Sequence, residues 1–248
     1  MPSPAQLAVL VGLLIAIASP ALQAGLGIGL SAQEFAGQGD STLRAEGYAF
    51  SIWSVIYLTL IAFAIWQALP ARRHDPHLTQ VRAPAAMALA GIGLWIWASS
   101  FDLRWTSVAI IVGSAWMAIR ALGHGRGPWT DWPLGLLAGW LTIASALNIL
   151  TVATADGLIG PANALPAAIS GIAVVAVVAL LVFRRLGRIA YPLPIIWGLL
   201  AVWVAERSDQ PGAAIAAVIA ASLLTAVVAS TIVHTAFGYW RKTNTKRP

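Results

Sequence analysis

The sequence contains no cysteine, which excludes disulfides, thiolate metal sites and thiol nucleophiles. Charge is nearly as scarce. Only 10% of the 248 residues are Asp, Glu, Lys or Arg, whereas a soluble domain carries about 25%. With 59% of residues hydrophobic, too little polar surface exists to coat a water-facing globule, so the outer surface must meet lipid. The only lysines are Lys242 and Lys246, in the tail, and a retinal Schiff base inside a helical bundle is thereby excluded. No Asp or Glu interrupts the middle of a long apolar run, which argues against a proton pump or a carrier coupled through a buried carboxylate. His234 is the one histidine within such a run. No His-x-x-x-His pair, Gly-x-Ser-x-Gly turn or phosphate loop occurs. Catalysis has no visible candidate residue, so the expectation is a protein that is not an enzyme and holds no cofactor or metal. The formal net charge of +6 does not signal nucleic acid, because the basic residues lie between apolar runs and form no continuous patch.

What the chain does have is a series of apolar segments long enough to cross a bilayer, about 20 residues each. They fall at about 6–27, 47–69, 84–100, 105–121, 133–154, 164–183, 191–206 and 212–238, with Pro70, Pro84, Pro133, Pro161, Pro192 and Pro211 at the joints. The first begins Met1-Pro2-Ser3-Pro4 and lacks the basic n-region of a signal peptide, so it reads as an uncleaved helix. The third and seventh are short. The expected fold is all-α, an integral membrane bundle of eight transmembrane helices.

Loop charge tests this division. With the N-terminus inside, the inner segments hold 12 of the 15 basic residues, and only Arg44, Arg104 and Arg207 lie outside. That bias follows the positive-inside rule and places both termini in the cytoplasm, in a cell inner (plasma) membrane of bacterial type. An odd number of helices would put Arg241 and Lys242 outside and spoil it. Trp66, Trp116, Trp129, Trp132 and Trp240 fall near the inner interface, where amphipathic rings sit.

Three segments concentrate aromatic and polar groups within the bundle. Phe50, Trp53 and Tyr57 share one face of the second helix, and Trp140, Ala144, Asn148 and Thr151 share one face of the fifth. Trp95 and Trp97 of the third lie about 200° apart and cannot both face inward; Phe101 is one turn from Trp97. Chain direction puts Trp53, Tyr57, Trp97, Phe101 and Asn148 in the outer half, with Trp140 deeper. These groups either line one aromatic cavity open to the outer face and roofed by residues 30–46, suited to a flat apolar ligand, or simply fill space, with Asn148 bonded to a neighbouring helix.

Trp140-Leu-Thr-Ile-Ala144-Ser-Ala146-Leu147-Asn148 resembles the fifth-helix pattern Trp-x-x-x-Ala-x-x-Leu-Asn of the TspO/MBR (translocator protein, tryptophan-rich sensory protein) family. Phe50-Ser-Ile-Trp53-Ser-Val-Ile-Tyr57 is similar to its second-helix Phe-Pro-x-x-Trp-x-x-x-Tyr, and Trp97-Ala-Ser-Ser-Phe101 to its third-helix Trp-x-x-x-Phe. The three occur in family order over residues 6–155. The chain departs from the pattern in lacking the second-helix proline, in placing Phe50 one residue closer to Trp53, and in having Leu94 where the family has Asn. Three further helices follow. The resemblance implies a TspO/MBR-like five-helix unit over residues 1–155, with three added helices and a basic tail over 156–248. It also implies an outer-face pocket for a porphyrin or another apolar molecule, often in a homodimer. Its pocket roles carry over to Trp53, Tyr57, Trp97, Trp140, Ala144 and Asn148, with Phe101 beside them. A loose sterol pattern runs from Val233 through Tyr239 to Arg241, on a different helix from the family's; the interface-anchor reading of Tyr239-Trp240-Arg241 is favoured there.

Gly135-x-x-x-Gly139 and the Ala213, Ala217, Ala221 series allow close helix approach, within the monomer or between protomers. The expected function is that of a multi-pass receptor or carrier for an apolar aromatic molecule; the alternatives are a permease for small solutes and a structural subunit without a ligand.

Overall fold

A computed structural model describes residues 2–244, with side chains as far as Thr235. Among the described residues there is no strand. The helices are α1 (Pro4–Leu26), a short α2 (Ala32–Gly37), α3 (Ile52–Ala68), α4 (Pro76–Ser100), α5 (Arg104–His124), α6 (Pro128–Ala155), α7 (Ala164–Leu186), α8 (Pro192–Glu206) and α9 (Pro211–Asn244). Seven are long and apolar enough to cross a membrane, α3 together with the 3-10 turn Gly47–Ser51 that precedes it; α8, with 15 residues, is shorter. The chain is thus an all-α membrane bundle, and among the described residues α2 is a ninth, loop helix. Large apolar side chains such as Leu14, Leu58, Leu181 and Leu223 are exposed around its perimeter, as lipid contact requires.

Local chemistry sets the ends. Ser3 and Gln6 form a reciprocal capping box at the start of α1, and Pro4 fills the first helical position. Asp75 caps α4 through the amides of His77 and Leu78, again with a proline next. That cap corrects the sequence reading of the third helix as short. It begins near Pro76 and includes Pro84, just as α6 includes Pro133, so neither proline marks a joint. Arg82, expected in a cytoplasmic loop, lies inside α4 at 2% exposure.

Arg82 is tolerated there because it caps the far end of α3. Its Nη2 donates to the carbonyls of Gln67 (3.2 Å) and Arg72 (2.6 Å), Nη1 to Arg73 (3.2 Å), and Nε to the Gln67 side chain (2.9 Å). A cation is well placed at a helix C-terminus, where carbonyls lack amide partners. Gln6 of α1 joins the cluster by donating to the Gln67 carbonyl. Nearby, Trp66 and Trp129 stack at 5.9 Å with the Arg72 guanidinium over the Trp66 ring, while Trp116, Trp129 and Trp132 are exposed.

The small-residue motifs pack within the chain. A Cβ at Gly139 would stand 2.0 Å from the Tyr191 carbonyl oxygen, and one at Gly135 2.8 Å from the Ala190 Cβ. The glycines let the start of α8 lie directly on α6. Ala213, Ala217 and Ala221 are buried as well. The anchor expected at Tyr239, Trp240 and Arg241 lies outside the described side chains, and Lys246 and Arg247 lie outside the described residues.

Candidate ligand-binding cavity

A cavity of about 510 Å³ opens at the end of the bundle that carries α2, within the size range of small-molecule sites. α6 provides its back wall. Trp140, Ala144, Leu147, Asn148 and Thr151 recur at helical spacing and all line it. At the base, Trp140 meets Trp53 edge to face (6.2 Å, 82°) and Phe50 likewise (6.3 Å, 75°), while Trp53 stacks on Tyr57 (5.1 Å) one turn away. Across the space, Phe35 of α2 meets Trp95 of α4 edge to face at 6.4 Å. Six rings therefore enclose the cavity, and the small Ala144 keeps it open.

The polar groups among these rings are largely engaged. Trp95 Nε1 donates to Asn148 Oδ1 (3.2 Å), and Asn148 Nδ2 donates to the Ser107 hydroxyl (3.0 Å). Asn148 thus orients the Trp95 ring, with one N–H and one oxygen lone pair left over. The Tyr57 hydroxyl donates to the Ala16 carbonyl (3.0 Å). That carbonyl is free because the residue four positions on is Pro20, which has no amide hydrogen. Where no water reaches, the orphaned group needs another donor, and Tyr57 provides it while tying α3 to α1 beside the cavity. Tyr57→Phe is expected to cost about 2 kcal/mol in the wild-type background, by leaving the Ala16 carbonyl unpaired. In a Pro20→Ala background, where the restored amide takes over, the cost should fall below about 1 kcal/mol. Denaturation by SDS in mixed micelles measures both.

Residues 38–51 form the side wall without regular helix beyond one 3-10 turn. Backbone outside regular structure still needs partners for its amides and carbonyls, and here α8 supplies them. The Arg44 amide donates to Glu206 (2.7 Å), the Glu46 amide to the Ala201 carbonyl (3.2 Å), and Trp197 Nε1 to the Ala49 carbonyl (3.1 Å). From Glu206 to Trp197 the wall follows α8 over on the order of 10 Å. Arg44 also donates to the Ala205 carbonyl and pairs with Asp209. At the rim, partial desolvation raises the Asp40 carboxyl above its usual range, against the pull of the Arg44 charge. Gly29 closes the loop at positive φ, close enough to the Ser100 carbonyl that any side chain would clash.

Of the residues expected from sequence, the structure brings Trp53, Tyr57, Trp140, Ala144 and Asn148 together on the cavity. It places Trp97 and Phe101 elsewhere. They stack on each other at 6.2 Å away from the cavity, and Phe101 is 58% exposed. Only one of Trp95 and Trp97 can face inward, and Trp95 does. A sequence signal was present: Leu94, Trp97 and Phe101 form a wholly apolar stripe, as a lipid face does, whereas Trp95 has Gly91 and Ser99 one turn to either side. Phe35 and the α8 contacts left no comparable trace.

The sequence profile of a family described as TSPO-like protein matches residues 6–231. The match runs through α7 and α8 into α9, past the segment that carries the motifs. No curated protein and no solved structure matches the chain.

Proposed function

The chain belongs to the TSPO-like family, and from that premise we propose that it is a multi-pass membrane receptor or carrier, not an enzyme, that takes a flat, largely apolar molecule of tetrapyrrole type into the aromatic cavity. The observation that carries this reading is the pair of ring groups, Phe50-Trp53-Tyr57-Trp140 and Phe35-Trp95, facing one another across an open space. Burial against those ring faces supplies the affinity. The cavity opens to the outer face of an inner membrane, because the basic loops lie at the opposite end of the bundle and hold that end in the cytoplasm. A permease would need a path to the cytoplasmic end. Below the cavity, Leu60, Phe63, Leu89 and Leu137 fill the bundle and are at most 1% exposed, which favours a receptor, or a carrier that must reshape its core to release cargo inward.

The test is a titration of the purified protein in neutral detergent with protoporphyrin IX dimethyl ester, an uncharged tetrapyrrole, following tryptophan fluorescence. Saturable quenching is expected, reduced in Trp140→Phe and unaltered in affinity in Trp97→Phe. Linear quenching that is the same in all three proteins overturns the reading.

A further inference from the structure

Among flat aromatic molecules, we infer that this cavity selects cations, an aromatic amine or quaternary ammonium, over carboxylate-bearing ligands; the inference rests on the ligand-binding reading above. The charged residues of its wall are Asp40, Arg44 and Glu46. Arg44 is engaged through Nη2, which donates to the Ala205 carbonyl and pairs with Asp209, and its charge also acts on Asp40. Asp40 and Glu46 have no ion pair and accept no side-chain hydrogen bond among the described residues. The wall therefore offers two carboxylates without an ion pair against one cation that is already paired.

The surroundings act in the same sense. The loops at this end hold seven acidic residues against Arg44, Arg104 and Arg207, a net of four negative formal charges. A cleft mouth of one sign concentrates counter-ions and repels like charge. Within the cavity, the faces of Trp53, Trp95 and Trp140 attract a desolvated cation through their quadrupoles, and tryptophan is the strongest such partner. A flat dicarboxylate would have to place its anions beside Asp40 and Glu46 and compete with Asp209 for Arg44, while a flat cation finds carboxylates at the rim and ring faces beneath.

Three probes of one ring size separate charge from shape: 9-aminoacridine as cation, acridine as neutral parent and acridine-9-carboxylate as anion, each titrated at pH 8 by tryptophan quenching in neutral detergent. The cation is expected to bind on the order of tenfold more tightly than the anion, with acridine between them, and the gap should narrow as salt screens the rim. In an Asp40→Asn, Glu46→Gln double variant the cation-to-anion ratio should collapse to about twofold or less, while acridine still binds saturably. Because both residues are exposed, the variant should keep its fold, and the acridine titration verifies that. Equal affinity for all three probes, a preference for the anion, or a ratio indifferent to the double substitution overturns charge selection and leaves the aromatic cavity standing. Absence of saturable binding by every probe to folded protein overturns both.

Discussion

Ala144→Phe should abolish saturable ligand quenching, weakening affinity by about 100-fold or more, equivalent to about 2.7 kcal/mol, while leaving the protein folded. Ala144 lies on the cavity face of α6, one turn from both Trp140 and Asn148. A phenyl ring there projects into the open space rather than into packed core, so it competes with ligand for volume and aromatic contact. Filling a cavity with an apolar group usually leaves stability unchanged or raises it. The combination is diagnostic: lost binding with an unchanged or higher thermal midpoint. If Ala144→Phe bound the tetrapyrrole ester normally, the ligand would sit elsewhere on the protein.

Arg82→Met should be the most damaging single change to stability, at about 3 kcal/mol or more. The substitution removes four charge-assisted hydrogen bonds from a site with 2% exposure. The carbonyls of Gln67 and Arg72 keep one donor each, from the Gln6 side chain and the Asp75 amide, but lose the charged one, and hydrogen bonds to charged groups are worth more than neutral ones. Arg82→Lys should recover at most part of the loss, since an ammonium is a point donor and cannot span acceptors from Gln67 to Arg73 as a planar fork does. SDS denaturation of the three proteins gives the comparison. The cluster is remote from the cavity, so ligand affinity of the surviving folded fraction should not change.

These two residues also mark where the sequence was legible. Ala144 was, because Trp140, Ala144 and Asn148 repeat at helical spacing on a long, largely apolar helix, and periodicity alone puts them on one face. Arg82 was not. A charge near a proline reads as loop, and nothing local reveals that the guanidinium folds back onto carbonyls ten and fifteen positions earlier. Helix existence followed from long apolar runs, but the start of α4 depended on the Asp75 cap. Trp97 illustrates a different failure. The resemblance carried a pocket role to Trp97, whereas the structure lines the cavity with Trp95, the other member of a pair that helix geometry makes exclusive. The α8 contacts were beyond reach because they join residues up to 162 positions apart, and Glu206 looks like any acid at a helix end until the Arg44 amide is placed against it. The same contacts give α8 a part in the site, since the cavity's side wall leans on it.

The central claim is that ligand lies among Trp53, Trp95 and Trp140, and the twelve tryptophans of the chain report on it directly. The protein is labelled with 5-fluorotryptophan, its resonances are assigned by single Trp→Phe substitutions, and fluorine NMR spectra are recorded with and without protoporphyrin IX dimethyl ester. Shifts confined to the resonances of Trp53, Trp95 and Trp140, with Trp66, Trp116, Trp129 and Trp132 unmoved, are the result the account predicts. Shifts at Trp116, Trp129 or Trp132 with the three cavity signals unchanged would contradict it.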